Sequence, residues 1–306
     1  MKHALESLRS LARRQHGVFH RSQALAAGLG RMTLLRGAHS GRWRRVHPGV
    51  YALPGAVPTV EQRLMAALLW LGDEAVVSHR SAARLWGLWG AELEAVEVTA
   101  KMEWSMRCQG VMVHRSGDLG EEDRRVVDGF KVTSLARTLV DVSSCIPEEA
   151  LALMLESAWK SKSGLLDWLE RRLSQLGHRR GVGVLKKLVS QCRWRRRPMD
   201  SPLEVRLWRS LVAAELPWPR VGTPFEDDED HPGRLDLSYP EHRLALEAHG
   251  WEFHRTRESF ERDCRRQSRL AALGWRIIHV TSRELDTRKE DVIDRVRRAM
   301  GEATSV

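Results

Sequence analysis

Two short alternations of apolar and polar residues, at 234–239 and 243–249, constrain this chain more than any other feature. Side chains alternate between the faces of a strand. Read as neighbouring strands, the first puts Asp236 opposite Leu235 and Leu237. The second puts Glu247 and His249 together, opposite Leu244 and Leu246. An antiparallel hairpin through Tyr239 to His242 brings the two polar faces together. Two carboxylates and an imidazole then converge where leucines would be expected. Hard oxygen donors suit a divalent cation such as Mg2+ or Mn2+. An imidazole beside the cation can orient water or carry a proton. Asp236 and Glu247 are therefore the candidate metal ligands, and His249 and His254 the candidate proton-transfer groups.

Glu204 is a third candidate catalytic acid. It closes a capping box begun by Ser201, with Pro202 at the first helical position. It also shares a helical stripe with Leu207, Trp208 and Leu211. Asp263, Arg266 and Leu270 lie on one helical face further on, where an acid–base pair three residues apart is commonly a surface pair. A zinc set drawn from His249, His254, Cys264 and His279 lacks any familiar ligand spacing.

These residues carry a resemblance. Glu204, Arg234 to Asp236, Glu247 to Gly250, His254, Asp263, Arg266, Gly274 and Trp275 resemble the PD-(D/E)XK nuclease superfamily. Within it, residues 201–300 look like the very-short-patch repair endonuclease and the domain of unknown function 559. The resemblance implies that Asp236 and Glu247 hold Mg2+, that His249 stands where lysine is usual, and that Asp263 and Arg266 border the site. The chain departs from the superfamily pattern in having no Glu-x-Lys lysine.

At the other end, residues 1–56 carry ten Lys or Arg against one acid, Glu6, a balance of +9 in a chain whose total is +10. A basic block of this kind is the footprint of a polyanion partner. The pattern predicts a winged helix-turn-helix. A helix at about 4–15 is followed by a short helix ending near Gly28 to Gly30. A recognition helix at 31–39 turns Arg31, Thr33, Arg36 and His39 outward, and a hairpin wing turns at Pro48 and Gly49. Arg31 and Arg36 are candidate base readers, Thr33 a further candidate DNA-binding residue, and Arg42, Arg44 and Arg45 candidate phosphate contacts. The run Arg42 to Tyr51 and the stretch Gly17 to Phe19 resemble the N-terminal domain of AbiEi-type antitoxins. The Thr-x-x-x-Arg-Thr-x-x-Asp stretch at 133–141 extends that resemblance to about residue 195.

The middle, 57–195, is predicted as an α+β region dominated by helices, with strands at 96–99, 111–115 and 130–132. Ser78, His79 and Asp141 match a hydrolase trio by residue type alone. The run Arg193 to Pro198 reads as a basic linker that could track a DNA backbone, and 196–306 as an α/β domain around a mixed central sheet. No apolar run is long enough for a transmembrane helix, and Leu11-Ala12 passes straight into Arg13-Arg14 rather than a signal-peptide core. Four scattered cysteines fit reduced thiols in a cytoplasm. The expectation is a DNA-binding, Mg2+-dependent endonuclease acting on double-stranded DNA. The alternative is an AbiEi-like antitoxin or repressor with an inactive nuclease fold and a cognate toxin or defence partner.

Overall fold

The computed structural model describes residues 2–92, 95–101, 110–175, 179–225, 233–249 and 257–301. Two compact units divide the chain, Met1–Ile146 and Pro147–Val306.

The first unit opens with α1 (Lys2–Arg14), β1 (Val18–His20), α2 (Arg21–Ala26), α3 (Arg31–His39), β2 (Arg44–His47) and β3 (Val50–Ala52), with the strands in the order β1-β3-β2. Leu8 and Ala12, one turn apart on α1, are buried with Phe19, Leu34, Trp43 and Tyr51. Phe19 meets Trp43 edge-on at 5.8 Å and stacks on Tyr51 at 5.7 Å. His20 caps α2 in a reciprocal box with Gln23. Gly49, at φ +76°, supplies the turn between β2 and β3. Gly37 is required on α3, since a Cβ there would lie 2.4 Å from the Trp43 ring. The indole N–H of that tryptophan donates to Leu34 O at 2.9 Å, tying the hairpin to the helix.

The unit continues with α4 (Val60–Leu71), β4 (Val76–Val77), α5 (His79–Leu85), β5 (Val96–Ala100), β6 (Val111–Arg115), β7 (Arg124–Val127), β8 (Phe130–Thr133) and α6 (Leu135–Val142). The five strands form a mixed sheet in the order β6-β5-β4-β8-β7. The helix-dominated α+β middle is observed, with the strands expected at 96–99, 111–115 and 130–132 present as β5, β6 and β8; the correction is that two further strands, β4 and β7, complete the sheet. Up to residue 133 this region is built on a sheet. Its central strand β4 is only two residues long, too short to alternate visibly, and β7 opens on two arginines.

The second unit begins with α7 (Glu148–Ser161), α8 (Leu165–Gln175), α9 (Val182–Arg195) and α10 (Pro202–Ala213). Strands β9 (Arg220–Phe225), β10 (Gly233–Tyr239) and β11 (Leu244–His249) follow, then α11 (Arg257–Ala272), β12 (Arg276–Thr281), α12 (Ser282–Thr287) and α13 (Lys289–Met300). The mixed sheet runs β12-β11-β10-β9, with β11 and β12 parallel and the other pairs antiparallel.

The basic linker is a second correction. Arg193 to Arg195 finish α9, and Arg195 is buried in a double hydrogen bond to Glu156 at 2.9 and 2.7 Å. Glu156 also accepts the Met199 N–H at 2.7 Å, so it fastens α7, α9 and the entry to α10 together. The helices α7–α9 accordingly belong to the same compact unit as residues 196–306, and the division falls at 146/147 rather than 195/196.

Candidate functional site

On α3 the exposed residues are Arg31, Met32, Leu35, Arg36 and His39. Arg42, Arg44 and Arg45 are exposed on the hairpin that follows. Thr33 is half-buried on the flank of the helix toward buried Gly37 and Leu34, so it faces away from the outward arc predicted for it. Met32 and Leu35, apolar residues not among the polar candidates, share the outward arc of α3 with Arg31, Arg36 and His39. Their signal was available in the sequence, since they lie three apart and one turn from Arg36 and Arg31.

In the second unit, Leu237 pairs with Leu246 across β10 and β11. One position further on, Asp236 stands across from Glu247 on the opposite face. Glu204 reaches the same place from α10, which packs against β10 and β11. Glu204 and Glu247 are buried and Asp236 is half-buried. Each carboxylate has a local donor. The Asp236 Oδ2 accepts the Ala248 N–H at 2.9 Å, and Glu204 Oε2 accepts the Asp200 N–H at 3.0 Å. Ser201 caps the Glu204 N–H as expected. The return bond of the predicted capping box goes to Asp200 rather than to Ser201 itself. Glu247 takes both arms of Arg266, at 2.9 and 3.1 Å. The same guanidinium donates to Arg234 O at 2.6 Å and lies over the Phe225 ring.

Burial, and then the charge of Glu247, push Asp236 up to about 6. Burial raises Glu204, with the Asp236 charge adding to it. Burial also raises Glu247, although Arg266 opposes the shift and Glu204 reinforces it. The cluster thus holds three acids near one arginine that touches only one of them. Unneutralised oxygen charge of this sort fits a hard divalent cation. Among the described residues, no three His, Cys, Asp or Glu side chains come together with metal-holding geometry. Arg266 and the two backbone N–H groups take the carboxylate oxygens instead.

His249 bonds to His279 on β12, Nε2 to Nδ1, at 2.6 Å, and Gln267 lies 3.4 Å from the far nitrogen of His279. His249 therefore belongs to a histidine pair at the edge of the acid cluster. His254, Gly250 and the side chain of Asp263 lie outside the described residues. Cys264 is exposed on α11.

The motif at 133–141 has a structural role. Arg137, buried, donates to Asp141 Oδ1 at 2.8 Å, Asp123 Oδ2 at 3.1 Å and Ser116 Oγ at 2.8 Å, and pairs with Asp118 at 3.4 Å. Thr133 and Thr138 hydroxyls bond at 2.7 Å. The hydrolase trio does not form a nucleophilic site. Ser78 lies beside His79 at 3.0 Å but is fully buried, and Asp141 is committed to Arg137.

Comparison with known proteins bears on the N-terminal segment first. Residues 6–54 match the family described as transcriptional regulator, AbiEi antitoxin. The matched stretch coincides with α1 to β3. Two proteins of Mycobacterium tuberculosis are 27% identical to the chain over 257 residues, covering 84% of it and 88% of each relative. They are uncharacterized protein MT2308 of strain CDC 1551 / Oshkosh and uncharacterized protein Rv2248 of strain ATCC 25618 / H37Rv. The crystal structure of the RV2827C protein from the same organism superposes with a TM-score of 0.43 at 18% identity, covering 61% of this chain and 76% of that one. Among the described residues, no helix is long and apolar enough to cross a membrane.

Proposed function

We propose that this chain is a duplex-DNA-binding transcriptional regulator of the AbiEi antitoxin kind. The observation that carries the reading is the AbiEi match over residues 6–54, a segment holding nine of the chain's 50 basic residues against one acid. In this reading α2 and α3 with the β2–β3 hairpin act as a winged helix-turn-helix. The α3 face enters the major groove, and Arg42, Arg44 and Arg45 neutralise phosphates. A cognate toxin is the protein partner that an antitoxin of this kind implies. Binding of a duplex of roughly 30 base pairs, followed by fluorescence anisotropy, should weaken steeply with salt, because each phosphate contact releases counterions. Changing Arg42, Arg44 and Arg45 together to alanine should flatten that slope by about 2–3. Affinity that ignores both salt and these changes would sink the reading.

A second reading rests on the acids of the other unit. Asp236 and Glu247, with Glu204 behind them, would hold Mg2+ or Mn2+, and the unit would hydrolyse phosphodiesters in a manner similar to PD-(D/E)XK nucleases. The cation, when bound, supplies Lewis acidity toward a phosphate oxygen and a lowered pKa for water. His249 would accept or return a proton, oriented by its bond to His279. Arg266 must release or share Glu247 for the pair of ligands to act together. Supercoiled plasmid incubated with Mg2+, Mn2+ or EDTA tests this reading. Nicking that needs the metal and disappears in Asp236→Ala supports it, and no nicking by wild-type protein that still binds duplex removes it.

A further inference from the structure

The outward face of α3 has an order that the arginines alone do not explain. At about 100° per residue, its exposed side chains fall across an arc of roughly 140° in the sequence Arg31, Leu35, His39, Met32, Arg36. Two cations therefore flank a centre that is largely apolar. Met32 is 59% exposed and Leu35 41%, and the helix is anchored from its other side by Leu34, Gly37 and Trp43. A large part of each of these two side chains is left in water. Long apolar groups presented to water between arginines suit a surface that is anionic at its edges and apolar in its middle.

The duplex major groove has that pattern. Phosphates line its rims, and the one apolar group on the edges of unmodified bases is the 5-methyl of thymine. Polar contacts to guanine or adenine would leave Met32 and Leu35 facing acceptors and donors they cannot satisfy. Charge favours the same partner, since the flanking arginines and the hairpin arginines Arg42, Arg44 and Arg45 all lie within the +9 segment. We propose that Met32 and Leu35 are specificity-determining residues that read thymine 5-methyl groups in the major groove, with Arg31 and Arg36 bracketing them. This rests on the DNA-binding reading above and deepens it. The methyl of 5-methylcytosine occupies the same groove position, so the chemistry is shared and the commitment is to thymine.

The test uses the full chain. A duplex library with a random core is selected for binding, and the winner is resynthesised with deoxyuridine for every core thymidine, which removes only the methyls. Deoxyuridine should weaken binding roughly 3- to 10-fold per contacted methyl. In M32A and L35A the thymine and uracil duplexes should bind within about 2-fold of each other, with salt dependence unchanged. Equal binding of the two duplexes by wild-type protein overturns the inference and leaves DNA binding standing, as does a selected core without thymine. A thymine-free duplex carrying 5-methylcytosine that binds as tightly as the thymine duplex overturns thymine as the ligand. Loss of self-association in M32A or L35A by sedimentation, with base discrimination intact, assigns the face to a second copy of the chain and also overturns the inference. Failure of wild-type protein to bind any duplex at low salt removes the inference together with the proposed function.

Discussion

Both units gather acids around one arginine, and they differ in how completely the cation answers them. In the first unit Arg137 reaches Asp118, Asp123 and Asp141 and is 4% exposed. In the second, Arg266 bonds to Glu247 alone of the three acids among the described residues, and is 28% exposed. Asp236 accepts the Ala248 N–H and Glu204 the Asp200 N–H, and burial, reinforced by the charge of a neighbouring acid, Glu247 for the first and Asp236 for the second, raises the pKa of each. The first cluster is closed by its own side chains, while in the second, among the described residues, only one of the three acids is paired with a side-chain cation. Closure marks a structural device. Under the nuclease reading an external cation would answer the residual charge, which is why the same residue types support opposite readings.

Truncating the arginine should separate the two clusters most sharply. Arg137→Met takes the guanidinium from two buried carboxylates, Asp123 and Asp141, and from half-buried Asp118, and should cost the first unit about 3–5 kcal/mol. Amide hydrogen exchange along β8 and α6 reads this locally. A cost below about 1 kcal/mol would refute closure as a stabilising device. The acids should behave in the opposite way. Asp236→Asn removes a half-buried charge whose pKa has risen to about 6, while keeping an acceptor for Ala248 N–H. In EDTA it should stabilise the second unit by about 1–3 kcal/mol. If Mg2+ raises the melting temperature of wild-type protein, that increment should vanish in the variant. A destabilised Asp236→Asn would mean that the charge is already matched. Arg266→Met should cost less than Arg137→Met, roughly 1–2 kcal/mol, because the guanidinium is partly solvated and Glu247 can take up a proton. Equal costs at the two arginines would erase the contrast.

The alternation around Asp236, Glu247 and His249 was legible because a hairpin with leucines on one face leaves few choices of register, and Leu237 opposite Leu246 is the one adopted. The α3 helix was legible from its spacing, and the β2–β3 hairpin from the Pro48-Gly49 turn. What could not be read were contacts across long sequence separations. Arg266 reaches Glu247 from 19 residues away, and Arg137 collects Asp118 and Asp123 from the segment before β7. Neither contact leaves a periodic trace. Two-residue β4 lies below the length at which alternation exists, although it sits at the middle of its sheet. Arg195 looked like linker because arginine runs usually lie in water. Glu156, 39 residues earlier, supplies the partner that lets it be buried.

Acidification should distinguish the units by sign. His79 is buried, stacked on His114 at 3.5 Å, and held by burial first and then by the His114 charge down to about 3. Its folded pKa is depressed, so its contribution is present above the unfolded value near 6.5 and is lost as pH falls toward 3. Asp236 is raised instead, so the stability linked to its protonated form is present below the unfolded value and lost as pH climbs through about 6. Moving from pH 7.5 to 5.5 should weaken the surroundings of His79 and strengthen those of Asp236, each by about 1 kcal/mol. Hydrogen exchange of β4–α5 and of β10–β11, read in one sample at both pH values, supplies the comparison, with exchange rates corrected for intrinsic pH dependence. His79→Gln should remove the first change and Asp236→Asn the second. Parallel changes in both segments, untouched by either variant, would show that the two clusters are not set apart by how their charge is answered.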